Sequence, residues 1–236
     1  MTTAEPFDPV PRAILLDLDD TLCDYTTARD RRLRIALADA TGLPADAPGL
    51  DALVDASIAM HQHGSEHFRH LLAQHGYEGE DRVEAAMAWY RANRFHGLEL
   101  FPDSLVVLEQ LRRGPDGVAH RPLGIITNGP ADVQRDKVDL LQIRNLVDFV
   151  IISGEFGASK PDPAIYAEAL QRAGATAGET VFVGDSVEHD IAGAHASGLR
   201  SVWINRRGAH WNGTGRAPDR QIRHIGELPR LVGSGG

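Results

Sequence analysis

Five short apolar runs constrain this chain most: AILLDLD, PLGIITN, FVIISGE, TVFVGDS and RSVWIN, each closing on polar or glycine residues. Runs of Ile, Val and Leu without alternation mark strands buried on both faces, the condition of a parallel sheet covered by helices. Helical patterns lie between them. From Asp103 to Arg113, Leu105, Leu108 and Leu111 recur at helical spacing, and in DPAIYAEALQRAG Pro163 suits a first turn and Gly174 a stop. Strand and helix alternate, so the expected class is α/β with a doubly wound, mostly parallel sheet.

From Tyr25 to His96 the strand-like runs give way to helical stretches such as ARDRRLRIALADATG and DRVEAAMAWYRANR. This block reads as a helical insertion in 25–96, splitting a core built from 1–24 and 97–236. With 236 residues and 42% hydrophobic content, one substantial core and a smaller attached domain are both affordable in buried surface.

In open parallel sheets, ligands bind beyond the carboxyl ends of the strands. The first run ends in Asp17 and Asp19, the second in Thr127 and Asn128, and the fourth in Asp185. Residues two apart in a strand point the same way, so Asp17 and Asp19 can face one site and divide labour as nucleophile and proton donor. On its own, DLDDTL reads equally well as a solvated acidic turn after a buried strand.

Taken with IITNG (125–129), SKPDP (159–163) and GDSVEHDIAGAHASG (184–198), DLDDTL resembles the four ordered motifs of the haloacid dehalogenase superfamily. The likeness spans nearly all of the chain outside the helical block. It implies that Asp17 is a nucleophile forming an aspartyl-phosphate, with Asp19 as acid and then base. It further implies that Thr127 donates its hydroxyl to a phosphoryl oxygen, Asn128 adds a main-chain donor, and Lys160 neutralises the nucleophile and the phosphoryl group. The implied cofactor is Mg²⁺, held by Asp17, the main-chain carbonyl of Asp19, and Asp185, with Asp190 on the metal side or one step behind. Magnesium's preference for a few carboxylates plus substrate phosphate suits that set. By the same resemblance, 25–96 is a helical cap that selects the leaving group. TNG, KPDPAIY, GDSVEHDI and VWINRRG are similar to the branch holding N-acylneuraminate-9-phosphatases and YjjG-type pyrimidine nucleotidases.

The implied activity is hydrolysis of a small soluble phosphate monoester, such as a nucleoside or sugar monophosphate. A phosphomutase of the β-phosphoglucomutase type keeps both aspartates and is the nearest alternative. A 2-haloacid dehalogenase does not need the second aspartate, and a receiver-like phosphate-sensing module would not need the insertion.

Net charge and cysteine content narrow the partners. At −9 the chain offers no broad basic surface for a nucleic acid polymer. MTTAEPFDPVPR shows no basic start leading into an apolar run, and no stretch approaches a membrane span of ~20 apolar residues. A single cysteine, Cys23, permits no internal disulfide and reads as a buried thiol beside the first motif. These features fit a cytoplasmic monomer or homodimer. His63, His67 and His70 share a helical face, yet without a carboxylate or cysteine partner they read as surface imidazoles rather than a metal site. Arg91 and Arg94 read as solvated helix charges, within reach of a substrate's polar end.

Overall fold

The structure, a computed structural model, describes residues 5–60, 65–114, 119–211 and 215–233. The chain divides into two compact units, Met1–Asp24 with Leu100–Gly236, and Tyr25–Glu99. The second unit runs three residues past His96, to Glu99.

The first unit carries β1 (Ala13–Leu16), α5 (Ser104–Leu111), β2 (Leu123–Thr127), α6 (Ala131–Leu140), β3 (Phe149–Ile152), α7 (Ser153–Phe156), α8 (Pro163–Ala173), β4 (Thr180–Gly184), α9 (Ala192–Ala196), β5 (Arg200–Ile204), β6 (Arg220–Ile222) and α10 (Leu228–Leu231). Its sheet has six strands in the order β3-β2-β1-β4-β5-β6, and every neighbouring pair is parallel. All residues of β1, β2, β3 and β4 are buried, which is why their sequences are apolar throughout. On one face Leu15, Ile126, Phe149, Ile151 and Phe182 pack against Ile165, Tyr166 and Ala169 of α8. The strand order reverses between β1 and β4, so a crevice opens there beyond the carboxyl ends of these strands.

Local chemistry explains α8. The Asp162 carboxylate accepts from the Ala164 amide at 2.8 Å, Pro163 occupies the first turn, and Gly174 closes the helix at φ 59° in the left-handed region. On α5 the buried stripe is Ser104, Val107, Leu108 and Leu111. Leu105 falls outside that stripe and is 45% exposed, unlike the Leu108 and Leu111 with which its spacing groups it. The short β6, Arg-Gln-Ile, has no apolar run to announce it.

The second unit is helical: α1 (Tyr25–Thr41), α2 (Pro48–Ala59), α3 (Phe68–Gln74) and α4 (Glu80–Ala92). Leu33, Leu37, Leu53, Phe68, Leu72 and Val83, among others, form its own core. His63 lies outside the described residues. His67 is not a surface group: it is buried, and its Nε2 lies 2.6 Å from the Ser57 hydroxyl, while His70 is exposed. Burial, with Arg29 nearby, lowers the His67 pKa and keeps its imidazole neutral. Among the described residues no helix is long and apolar enough to cross a membrane.

Candidate active site

β1 stops at Leu16, so Asp17 and Asp19 stand just past the strand instead of within it. The Asp17 amide still donates to Val183 of β4 at 2.9 Å, which extends the ladder by one bond and fixes Asp17 at the reversal point. Beyond it the chain turns through Asp20, at φ 57° in the left-handed region. Arg206, lying over the Phe101 ring, holds this turn by donating to the carbonyls of Asp20 at 3.2 Å and Thr21 at 2.8 Å.

Asp17 and Lys160 are both buried, and the Lys160 ammonium lies 2.5 Å from Asp17 Oδ1 and 2.7 Å from Asp190 Oδ1. Asn128 sets where that ammonium sits. Its carboxamide accepts from the Lys160 amide and donates to the Lys160 carbonyl, both at 2.9 Å, so its side chain is committed to the main chain of Lys160.

Asp185 follows Gly184 at the end of β4, and its carbonyl accepts from the Trp203 indole at 2.8 Å. Asp190 sits in a single π-helical turn, Val187–Ile191, where its Oδ2 accepts from the Ser186 amide at 2.9 Å. Tyr166 anchors that turn from α8 by donating to the His189 carbonyl at 2.6 Å. Glycine at 184 is required by close approach: a Cβ there would lie 2.2 Å from Asp190 Oδ2.

Asp17, Asp185 and Asp190 can each offer an oxygen such that all three lie within 4.8 Å of one another. The Lys160 ammonium contacts two of these carboxylates, Asp17 and Asp190, both buried, and Asp185 is half-buried beside them. Burial raises the pKa of Asp17 to about 7, against the pull of Lys160 and with the repulsion of Asp190 and Asp19. Burial and the charges of Asp17, Asp190 and Asp20 raise Asp185 to about 8. Burial alone would lower Lys160, but Asp17 and Asp190 reverse that and push it up. The pair is Lys160 ammonium with Asp17 carboxylate, and burial is the first cause of both upward carboxylate shifts, with the neighbouring carboxylates adding to it. An oxygen-lined, charge-deficient cluster fits a hard divalent cation. Each Asp190 oxygen accepts one protein hydrogen bond, from Lys160 and from the Ser186 amide, and keeps a lone pair that can face a cation.

Asp19 has its own partners outside this cluster. The Lys137 ammonium lies 2.7 Å from each of its oxygens, and Gln134 Nε2 donates to Oδ2 at 3.2 Å. The same Gln134 amide donates to the Thr127 hydroxyl oxygen and to the Asn128 carbonyl at 3.1 Å. With its oxygen accepting from Gln134, the buried Thr127 hydroxyl keeps its own proton to give. Cys23 is buried with its thiol 3.5 Å from the Leu18 carbonyl and from Asp19 Oδ1; burial first, then the Asp19 charge, raises its pKa and leaves it an unreactive thiol. Lys137, Gln134 and Arg206 escaped the sequence reading. The readable signal was on α6, where Gln134, Lys137 and Val138, with Leu141 capping the helix, fall at the spacing of a buried stripe with two polar residues in apolar places. Arg91 and Arg94 lie in the helical unit, Arg91 exposed beside Glu84 and Ser65, Arg94 half-buried over Phe95.

The model of the haloacid dehalogenase-like hydrolases matches residues 11–198. The chain belongs to that family. It is 33% identical over 224 residues to the glyceraldehyde 3-phosphate phosphatase of Methanopyrus kandleri, covering 92% of this chain and 91% of that one. It is 28% identical over 160 residues to the N-acylneuraminate-9-phosphatase of Rattus norvegicus, 67% of this chain and 62% of the relative. The HAD-hydrolase YfnB from Bacillus subtilis, solved bound to magnesium, shares the fold at a TM-score of 0.74 and 23% identity, over 94% of this chain and 99% of its own. With relatives that are phosphatases of this family, the chain is a phosphoric monoester hydrolase.

Proposed function

We propose that this enzyme is a Mg²⁺-dependent phosphatase that hydrolyses a small phosphorylated metabolite, a nucleoside or sugar monophosphate, through a phosphoryl group carried on Asp17. The observation that carries this reading is the segregation of two carboxylates two residues apart: Asp17 stands with Lys160 and the acidic cluster, and Asp19 stands on Lys137 and Gln134. Separate environments give separate roles.

Asp17, Asp185 and the main-chain carbonyl of Asp19 would hold the cation, which when bound supplies positive charge for the phosphoryl oxygens and keeps Asp17 ionised. Asp17 Oδ attacks phosphorus; the new P–O bond forms as the ester P–O bond breaks, and Asp19 gives its proton to the departing alkoxide. Asp19 then takes a proton from a water that attacks the same phosphorus. The Asp17–phosphorus bond breaks, inorganic phosphate leaves, and both aspartates return to their starting states. Lys160, the Thr127 hydroxyl and the Asn128 amide offset the charge spread over the phosphoryl oxygens. Unit 1 carries this chemistry, and residues 25–96, the helical cap by resemblance, set the choice of leaving group.

A panel of phosphate monoesters, including glyceraldehyde 3-phosphate and sugar and nucleoside monophosphates, assayed with Mg²⁺ and after exhaustive chelation, tests the proposal. Mg²⁺-dependent release of phosphate supports it. Full activity in the chelated enzyme, or no release from any ester, would refute it.

A further inference from the structure

Resting on the phosphatase reading above, we propose that Lys137 is a positioning residue for the leaving-group step: it orients the Asp19 carboxyl group, which in its protonated form gives its proton to the departing oxygen and is left as the carboxylate paired with the Lys137 ammonium.

The case begins with α6. Gln134 and Lys137, one turn apart, are both almost fully buried, at 2% exposure each. A lysine is rarely left so dry, and an ammonium out of water needs close polar partners. Lys137 has such a partner in Asp19, 118 residues away in sequence, with its nitrogen 2.7 Å from both oxygens. A nitrogen at equal distance from the two oxygens lies near the bisector of the carboxylate, so it fixes the direction in which the group points. Asp19 needs that restraint. It follows the end of β1, precedes the left-handed Asp20, and its side chain is 25% exposed. Gln134 adds a contact to Oδ2 and joins Asp19 to Thr127 and Asn128, the ends of the neighbouring strand segment. As a stabilising device alone the pair would be a poor choice, since buried ion pairs roughly break even against apolar replacements of equal volume. Lys160 ends on Asp17 and Asp190, and Lys137 ends on Asp19.

The test is kcat/KM on two esters, which reports only the steps through transfer to Asp17. An alkyl phosphate needs a proton on its leaving oxygen, whereas 2,4-dinitrophenyl phosphate does not. For Lys137→Met, the alkyl ester should lose about 100-fold, within the span of general acid effects, and the dinitrophenyl ester less than about 5-fold. Lys137→Arg keeps the charge with a different fork and should fall between wild type and Lys137→Met. Asp19→Asn should show the same selective loss, and adding Lys137→Met to it should cost nothing more, as for two residues acting as one unit. Equal losses on both esters, or additive losses in the double variant, overturn the proposal while leaving the phosphatase reading intact. Thermal melts of each variant accompany the kinetics, and if Lys137→Met does not fold, the ester ratio in Lys137→Arg decides by the same criterion. The alkyl ester is taken from those the wild-type enzyme hydrolyses, and release of phosphate from no ester of the panel overturns the phosphatase reading and this inference together.

Discussion

In the sheet unit, Lys137 and Lys160 are buried and end on carboxylates delivered by other strand ends. In the helical unit, Arg32 and His67 are equally buried and end on the Arg94 carbonyl and the Ser57 hydroxyl. The two buried lysines meet full opposite charges, whereas Arg32 and His67 meet a carbonyl and a hydroxyl. Dehydrating several carboxylates beside two ammoniums gains little stability. On the proposed mechanism, that arrangement serves the phosphoryl group instead. The helical unit's polar interior serves its packing, so damage there should appear in stability before it appears in turnover.

Substitutions grade this contrast. Asp17→Asn removes the nucleophile and should lower kcat by about 10⁴-fold or more with the fold intact by circular dichroism; near-normal turnover would end the account. Lys160→Met leaves Asp17 and Asp190 without their ammonium and should lower kcat/KM by about 10²–10³-fold, read in a steady-state assay at saturating Mg²⁺. Gly184→Ala drives a Cβ into Asp190, so it should weaken both properties: about 10-fold in kcat and 1–3 kcal/mol in stability. Ser57→Ala should do the reverse of Lys160→Met. It strips His67 of a partner at about 1–3 kcal/mol, a fall of roughly 2–10 °C in Tm, with kcat unchanged. Arg91→Ala, on an exposed side chain, should move stability by no more than about 0.5 kcal/mol, and an unchanged KM across the ester panel would assign Arg91 to the solvated helix surface.

The sheet was legible because strands buried on both faces need uninterrupted apolar residues, a pattern few helices or loops imitate. The same logic hid β6, whose Arg220 and Gln221 face partly toward water at an edge of the sheet. Asp17, Lys160, Asp185 and Asp190 were nameable from motif order, and the structure brings them to one place. The partners of Asp19 were not legible, since they are a lysine and a glutamine of α6 that look like ordinary helix surface until the helix is docked. His67 misled for a related reason: one turn of sequence does not tell an imidazole facing solvent from one facing a serine in the core.

The central claim is that the phosphoryl group passes through Asp17. Rapid quenching of the enzyme during turnover of a good phosphate monoester, followed at once by borohydride reduction and peptide mass spectrometry, reads that event at the residue. An acyl phosphate is reduced to the alcohol, so homoserine at position 17, absent without substrate, is the predicted result. Steady turnover with position 17 recovered only as aspartate, or homoserine found at position 19 instead, would contradict it.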